Sequence, residues 1–102
     1  MRNGDTAEQW CRLAYATHAA GRYEDAVDAS LHASQLFDHA RESAQADQMR
    51  FLLADCYRRL GDHRAALREY RALADGDGEL AATAFVTGTA LLEELGITVW
   101  PT

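Results

Sequence analysis

Apolar residues recur at helical spacing along most of the chain, and glycines interrupt the pattern. In the first segment, the residues at positions i, i+3, i+4 and i+7 are apolar or small: Trp10, Leu13, Ala14 and Thr17. That spacing is typical of the packed face of a helix. Thr6, with Gln9 three residues later, forms a capping-box pattern, and Gly21 suits the left-handed residue that ends a helix. The pattern predicts a first helix over about residues 6–20.

The boundary between the second and third helices is less clearly marked. A second helix begins near Arg22 or Tyr23 and is predicted to run to about position 36 or 37. Neither glycine nor proline occurs between Arg22 and Leu60. Asp38 is the predicted break, because an aspartate side chain competes for nearby backbone hydrogen bonds. The third helix is then predicted over about residues 40–60.

Two more helices are predicted after Gly61. The fourth covers about residues 63–74 and is followed by an Asp-Gly-Asp-Gly turn at 75–78. The fifth covers about residues 79–95, and Gly96 stands where a glycine commonly ends a helix. Ile97 is placed to contact Leu92, as expected for a Schellman end. The remaining tail, residues 96–102, is short and apolar.

The first two helices and the next two have related sequences. When Gly21 is superimposed on Gly61, Leu13 falls on Leu53 and Ala26 falls on Ala66. A repeat of 40 residues is typical of stacked helical hairpins. Gly96 follows Gly61 by 35 residues, so the fifth helix is interpreted as the start of a third, unfinished repeat.

These residues resemble the tetratricopeptide repeat (TPR) family. The positions that match are, in the first repeat, Trp10, Leu13, Ala14, Gly21, Tyr23, Ala26 and Ala33, and in the second, Leu53, Ala54, Tyr57, Gly61, Ala66, Tyr70 and Ala74. The fifth helix offers Phe85, Leu92 and Gly96. The period is longer than the usual ~34 residues of the family, and the proline that commonly closes a repeat is absent.

The resemblance implies an all-α fold in which antiparallel helical hairpins stack as a short TPR-like solenoid. It would contain five helices, or about two and a half repeats, in a single domain over residues 1–102. The first repeat would cover about 7–38, the second about 40–78 and a capping helix about 79–95, followed by the tail 96–102. The extra residues near 37–46 would lengthen a helix or a loop.

The resemblance also implies a concave groove, lined by the first helix of each repeat, that binds a peptide or a helix. Twelve groove positions are carried over in this way. Eight of them form the candidate site: Arg12, Tyr15, His18, Phe51, Leu52, Asp55, Arg58 and Arg59; the other four are Glu8, Cys11, Ala19 and Gln48. Periodicity independently places Tyr15 and His18 opposite the face of Trp10. Phe51, Leu52 and Leu53 are consecutive, so one helix face cannot bury all three, and Phe51 or Leu52, or both, should face the groove.

This groove combines an apolar strip with arginines, which favours an amphipathic helix or peptide with acidic character as the ligand. Simpler interpretations remain open. Arg58 and Arg59 stand near a helix end, where cations commonly serve the helix dipole. Tyr15 is as well explained by packing, and Phe51 and Leu52 by contact with a neighbouring helix or a second copy of the chain.

Composition narrows the classes of function. The 102 residues carry a formal net charge of −6, which argues against a nucleic-acid surface. All ten basic residues are arginine, so lysine chemistry is excluded, and the composition resembles that of a GC-rich, bacterial genome. No apolar run approaches the ~20 residues that span a bilayer, and the N-terminus lacks a signal-peptide core, so a cytoplasmic protein is expected.

The sequence therefore predicts a non-catalytic protein–protein interaction module with an adaptor or regulatory role, and no cofactor or metal. The alternative is a small bacterial secretion-type chaperone that holds a helical subunit. A thiol- or metal-dependent activity of Cys11 and His18 is a third interpretation; these residues are two helical turns apart, too far for one metal ion without other ligands. Two and a half repeats leave apolar ends at Trp10, Val99 and Trp100, which predicts a homodimer or an obligate complex.

Overall fold

Five α-helices account for most of residues 6–101, the part of the chain described by this computed structural model. In chain order they are α1 (Ala7–Ala19), α2 (Tyr23–His39), α3 (Ser43–Arg59), α4 (His63–Ala74) and α5 (Ala81–Leu95). The described residues form no β-strand, so the all-α prediction with five helices is confirmed over this part. Residues 1–5 and Thr102, the last residue of the predicted tail, lie outside it.

Three turns of the same geometry join α1 to α4. The residues at positions 21, 41 and 61 all have positive φ angles, namely 77° at Gly21, 62° at Arg41 and 84° at Gly61. In each turn the next residue donates its N–H to a carbonyl five residues earlier, at 2.8–2.9 Å. This bond satisfies a carbonyl that the helix end leaves without a partner. Because these turns are short, consecutive helices must run antiparallel.

The break between α2 and α3 differs from the prediction. Asp38 was expected to end the second helix, but α2 continues through it, and the left-handed residue is Arg41. The Asp38 carboxylate instead accepts a hydrogen bond from Arg50 of α3 at 2.6 Å. The third helix begins at Ser43 rather than near 40, because residues 40–42 form the turn. The fifth begins at Ala81 rather than near 79.

Each helix packs mainly against its neighbours in the sequence. A first core cluster joins α1, α2 and α3 through small residues such as Ala14, Ala29 and Ala33, closed by Phe37 and Met49. Small side chains allow the helix axes to approach closely. A second cluster joins α3, α4 and α5; its members are Ala54, Ala66, Leu67, Tyr70, Leu73, Ala84, Leu91 and Leu92. Helix α3 contributes to both clusters and is buried on two sides.

The packed face predicted for α1 is partly wrong. Ala14 and Thr17 are buried, but Leu13 is 46% exposed. The physical reason is that α1 has one principal neighbour, α2, and nothing among the described residues covers its outer side. Trp10, predicted as an exposed apolar end, is instead half-buried, and its ring stacks on that of His32 with centroids 4.4 Å apart.

The end of α5 follows the predicted pattern. Gly96 adopts the left-handed conformation with φ of 71°, and the N–H of Ile97 donates to the carbonyl of Leu92 at 2.9 Å. The tail then turns back along α5, because the indole of Trp100 lies against Gly88. Trp100 is therefore half-buried rather than a fully exposed end.

Candidate functional site

A depression of about 290 Å³ runs across four of the five helices. We call it the central groove. Its lining residues are Tyr15 and His18 of α1, Gln48, Phe51, Leu52, Asp55 and Arg58 of α3, Tyr70 of α4 and Thr87 of α5. It is thus the place where α1, α3 and α5, which are not consecutive, face a common space.

Helix α3 supplies most of this surface because of its spacing. Its five lining residues follow the spacing i, i+3, i+4, i+7 and i+10, from Gln48 to Arg58, which places them on one face of the helix. Leu52 belongs mainly to the first core cluster, whereas Phe51 is half-buried with its ring edge-to-face with Tyr70, centroids 5.7 Å apart. The floor of the groove is therefore an extension of the hydrophobic core.

Asp55 is the carboxylate among the lining residues, and two side chains already contact it. The Nε2 atom of His18 lies 2.7 Å from its Oδ2, and the Nε–H of Arg59 donates to the same oxygen at 3.1 Å. An ionised carboxylate only accepts hydrogen bonds, so the His18 tautomer must carry its proton on Nε2. The His18–Asp55 contact ties α1 to α3, and the Arg59 guanidinium is an ion-pair partner for the Asp55 carboxylate.

Arg58 is the charged group of the groove that remains available. It is exposed, and within residues 6–101 no carboxylate lies at ion-pair distance from it. The neighbouring Tyr70 is buried, and burial raises the pKa of its phenol above the usual value. The Asp55 carboxylate adds to this rise, whereas the Arg58 guanidinium opposes it through its charge and through a hydrogen bond to the phenol oxygen. The groove therefore offers apolar surface beside one guanidinium without a protein counter-ion.

Gln48, also carried over from the repeat pattern, lines the central groove, and so do six of the eight candidate site residues. These six are Tyr15, His18, Phe51, Leu52, Asp55 and Arg58. Arg12 and Arg59 are not among the lining residues. Arg59 is held to one side by Asp55 and by Tyr23, to whose hydroxyl its Nη1 donates at 3.3 Å while the guanidinium stands 5.6 Å from the ring centroid.

Sequence reasoning did not assign Tyr70 and Thr87 to the groove. Tyr70 is almost fully buried, but it contributes to the lining of the groove. Thr87 stands nine residues before Gly96, as Leu52 stands nine residues before Gly61. The same offset, applied to the third, unfinished repeat, would have identified it.

A larger depression, of about 410 Å³, lies between α4 and the tail and is lined by Arg68, Arg71, Ala72, Asp75 and Pro101. We regard the central groove as the better candidate despite its smaller volume. The larger depression involves one helix and the tail and contains no aromatic side chain, whereas binding sites typically combine aromatic anchors with a few polar groups.

The two cysteines have the properties of packing residues. Cys56 is fully buried, and burial, assisted by the Asp55 charge, raises the pKa of its thiol to about 11. Burial also raises the pKa of the Cys11 thiol, with a further rise from Glu8. Both thiols are protonated at neutral pH, and a thiol is a far weaker nucleophile than a thiolate. Among the described residues no three His, Cys, Asp or Glu side chains are grouped closely enough to hold a metal ion.

Two further results bear on the class of protein. Across residues 6–101, no helix is long and apolar enough to cross a membrane. Comparison of the chain with protein-family models, with curated proteins and with solved structures finds no match.

Proposed function

We propose that this chain is a non-catalytic protein–protein interaction module that binds a peptide or an amphipathic helix of a partner protein in the central groove. In this proposal the helical hairpins are arranged as a short TPR-like solenoid, and the module has an adaptor or regulatory role. The equal spacing and shared hydrogen bonds of the turns at positions 21, 41 and 61 support a repeat architecture. Such repeats commonly present an extended concave surface for binding.

The observation that carries the proposal is the pairing of exposed aromatic surface with an uncompensated charge. Tyr15 is 46% exposed and Phe51 half-buried, so both can contact a ligand without refolding. Tyrosine and arginine are the residues most enriched among those that dominate binding energy at interfaces. Because Asp55 is already paired, Arg58 is the groove residue whose charge has no carboxylate partner within residues 6–101, and its fitting counterpart is a carboxylate.

The proposed ligand therefore has an apolar side chain that packs between Tyr15 and Phe51, and an Asp or Glu that reaches Arg58. On a helix these two side chains would be three or four residues apart, where they share one face. On an extended peptide they would be two residues apart.

The experiment that tests this uses a displayed library of random peptides, some helix-stabilised, selected against the purified chain. We expect enriched sequences in which an aromatic or aliphatic residue stands two to four positions from an acidic one. Their affinity should fall by about 10–100-fold for Tyr15→Ala and for Arg58→Glu, because each variant removes one of the two anchors. Isothermal titration or fluorescence anisotropy measures the affinity.

Leu13→Glu is the matched control. Leu13 is as exposed as Tyr15 and lies on the same helix, but it is not a lining residue of the groove. This variant should bind the selected peptides with unchanged affinity. Selection of no enriched sequence, or equal binding by Arg58→Glu and the unmodified chain, would sink the proposal, provided that circular dichroism shows both variants folded.

A further inference from the structure

One oxygen of the Asp55 carboxylate has no partner in the described part of the protein. His18 and Arg59 both contact Oδ2, at 2.7 and 3.1 Å, and no group within residues 6–101 forms a hydrogen bond with Oδ1. Oδ1 is accessible rather than buried. A carboxylate only accepts hydrogen bonds, and each of its oxygens has two acceptor positions. Because Asp55 lines the central groove, Oδ1 is an acceptor that a bound ligand can use.

This acceptor stands one helical turn from the apolar floor of the groove. Asp55 follows Phe51 by four residues and Leu52 by three, so the three side chains share one face of α3. One turn advances about 5.4 Å along the helix axis. A ring that packs on Phe51 can therefore place a polar edge beside Asp55.

The size and walls of the groove suit a single aromatic side chain. The volume of about 290 Å³ is at the lower end of the range for ligand pockets, so the space fits one large anchor. Tyr15 of α1 and Phe51 of α3 both line it. Aromatic rings gain from offset or edge-on contacts with one another beyond the area they bury, which favours an aromatic anchor over an aliphatic one.

We propose that the central groove selects an aromatic anchor with a hydrogen-bond donor, tryptophan or tyrosine, whose N–H or O–H is accepted by Oδ1 of Asp55. This inference rests on the function proposed above and specifies the side chain that the groove prefers. Phenylalanine and leucine fill the same apolar space but bring no donor. A hydrogen bond to a charged acceptor is roughly twice as strong as one between neutral groups, so the donor should decide the preference.

The neighbouring Arg58 gives the ligand a direction. Arg58 follows Asp55 by three residues on the same face of α3. The ligand's acidic group is attracted by Arg58 and repelled by Asp55, whereas the donor of the anchor is accepted by Asp55 and has no acceptor on the guanidinium. The anchor and the acidic residue must therefore bind in one order along the helix.

The other uncharged polar groups of the groove are less suited to accept the donor. Gln48 lies three residues before Phe51, toward the opposite end of α3 from Arg58. Thr87 belongs to α5 and, like Gln48, offers a neutral acceptor. Asp55 is the charged acceptor among the lining residues and stands between the apolar floor and Arg58.

Matched peptides test this inference. The probes are synthetic copies of the tightest-binding peptide from the library, in which the anchor is tryptophan, its benzothiophene analogue, tyrosine or phenylalanine. The benzothiophene analogue replaces the indole N–H with sulfur and keeps the shape of the ring. We expect the dissociation constant to rise by about tenfold from tryptophan to the analogue and from tyrosine to phenylalanine, because each change removes one hydrogen bond to a charged acceptor. Isothermal titration measures these constants.

Asp55→Ala should abolish the difference between tryptophan and its analogue. His18→Ala is the matched control: it removes the contact between α1 and α3 but leaves the carboxylate, so the difference should persist. Each comparison sets two peptides against the same variant, so a general weakening of the groove cancels.

Equal affinities for tryptophan and its analogue on the unmodified chain would overturn the inference, whether or not Asp55→Ala folds. A difference that persists in folded Asp55→Ala would overturn it as well. Either result, with a peptide whose binding depends on Arg58, would leave the proposed function standing. A library that yields no peptide would overturn both.

Discussion

Arg41 occupies a backbone conformation that the other two turns of this type assign to glycine. Its φ of 62° lies in the left-handed region, where the Cβ atom of an L-residue crowds the following carbonyl. Gly21 and Gly61 avoid this crowding. The turn between α2 and α3 therefore stores strain that the turns on either side do not.

Arg41→Gly should stabilise the protein. Relief of the left-handed strain gives an expected gain of ~0.5–1 kcal/mol in the free energy of unfolding, after allowance for the greater freedom of glycine in the unfolded chain. Urea denaturation measures this gain, and the melting temperature should rise by a few degrees.

Gly21→Ala and Gly61→Ala are the matched controls and should each destabilise the protein by about 1 kcal/mol. A Cβ atom at either position meets nothing within 4 Å, so the loss would come from the backbone alone. If Arg41→Gly proved neutral or destabilising while both controls behaved as expected, the strain argument would be refuted.

The same residue explains why one helix boundary was not predictable. Glycine marks the ends of α1, α3 and α5, and each of these ends was placed within about one residue from the sequence. The end of α2 carries no such mark. Sequence rules prefer Asp38 to Arg41 as a helix breaker. In this fold the left-handed residue is instead at position 41, midway between the left-handed glycines at positions 21 and 61.

At the scale of the element, α5 is a helix whose two sides have different partners. One side packs on α4 through Ala84 and Leu91, and Gly88 on this side also receives the ring of Trp100. A glycine in the middle of a helix costs about 1 kcal/mol relative to alanine. Its presence in α5 is explained by the space that the tail and Tyr70 require.

Gly88→Ala should displace the tail. The added methyl group would overlap the Trp100 ring and would stand 3.0 Å from the Cβ atom of Tyr70, closer than side chains pack. In a Trp10→Phe background, Trp100 is the remaining tryptophan, and its fluorescence emission should move to longer wavelength as the ring becomes hydrated.

Thr83→Ala, an exposed substitution on another side of α5, is the control and should leave the emission unchanged. An unchanged spectrum for Gly88→Ala would show that Trp100 does not rest on this glycine in solution.

How well the sequence predicted the buried face of a helix depended on how many other helices pack against it. The repeat pattern, together with helical periodicity, grouped six residues that line one depression. Periodicity does not show how many faces of a helix are covered by neighbouring helices. Leu13 was expected to be packed because α1 has an apolar stripe, and it is exposed because α1 has one principal partner. Arg59 was placed in the groove by its position in the repeat, but its ion pair with Asp55 turns it away, and no spacing rule reports such a pair.

On the scale of the whole molecule, α3 is the centre of the fold. It contributes Met49, Leu52 and Cys56 to one core cluster and Ala54 to the other. Helices α1 and α5 lie at the two ends of the series, each packed mainly on one neighbour. In proteins built by such sequential packing, local stability varies along the series.

Amide hydrogen exchange should therefore be slowest in α3 and fastest in α1 and α5. The exposed sides of the terminal helices allow them to open without separating the two core clusters. Exchange followed by mass spectrometry or NMR provides the test. Equal protection in all five helices would instead indicate a single cooperative unit.

The central groove has a mechanical consequence in such a fold. Each helix packs mainly on the next one in the chain. The hydrogen bond between His18 and Asp55 additionally joins α1 directly to α3. A ligand seated among Tyr15, Phe51 and Thr87 would touch α1, α3 and α5 at once. Such a ligand would restrict the motion of α1 and α5 relative to α3, so the molecule with ligand bound should bend less than the free molecule.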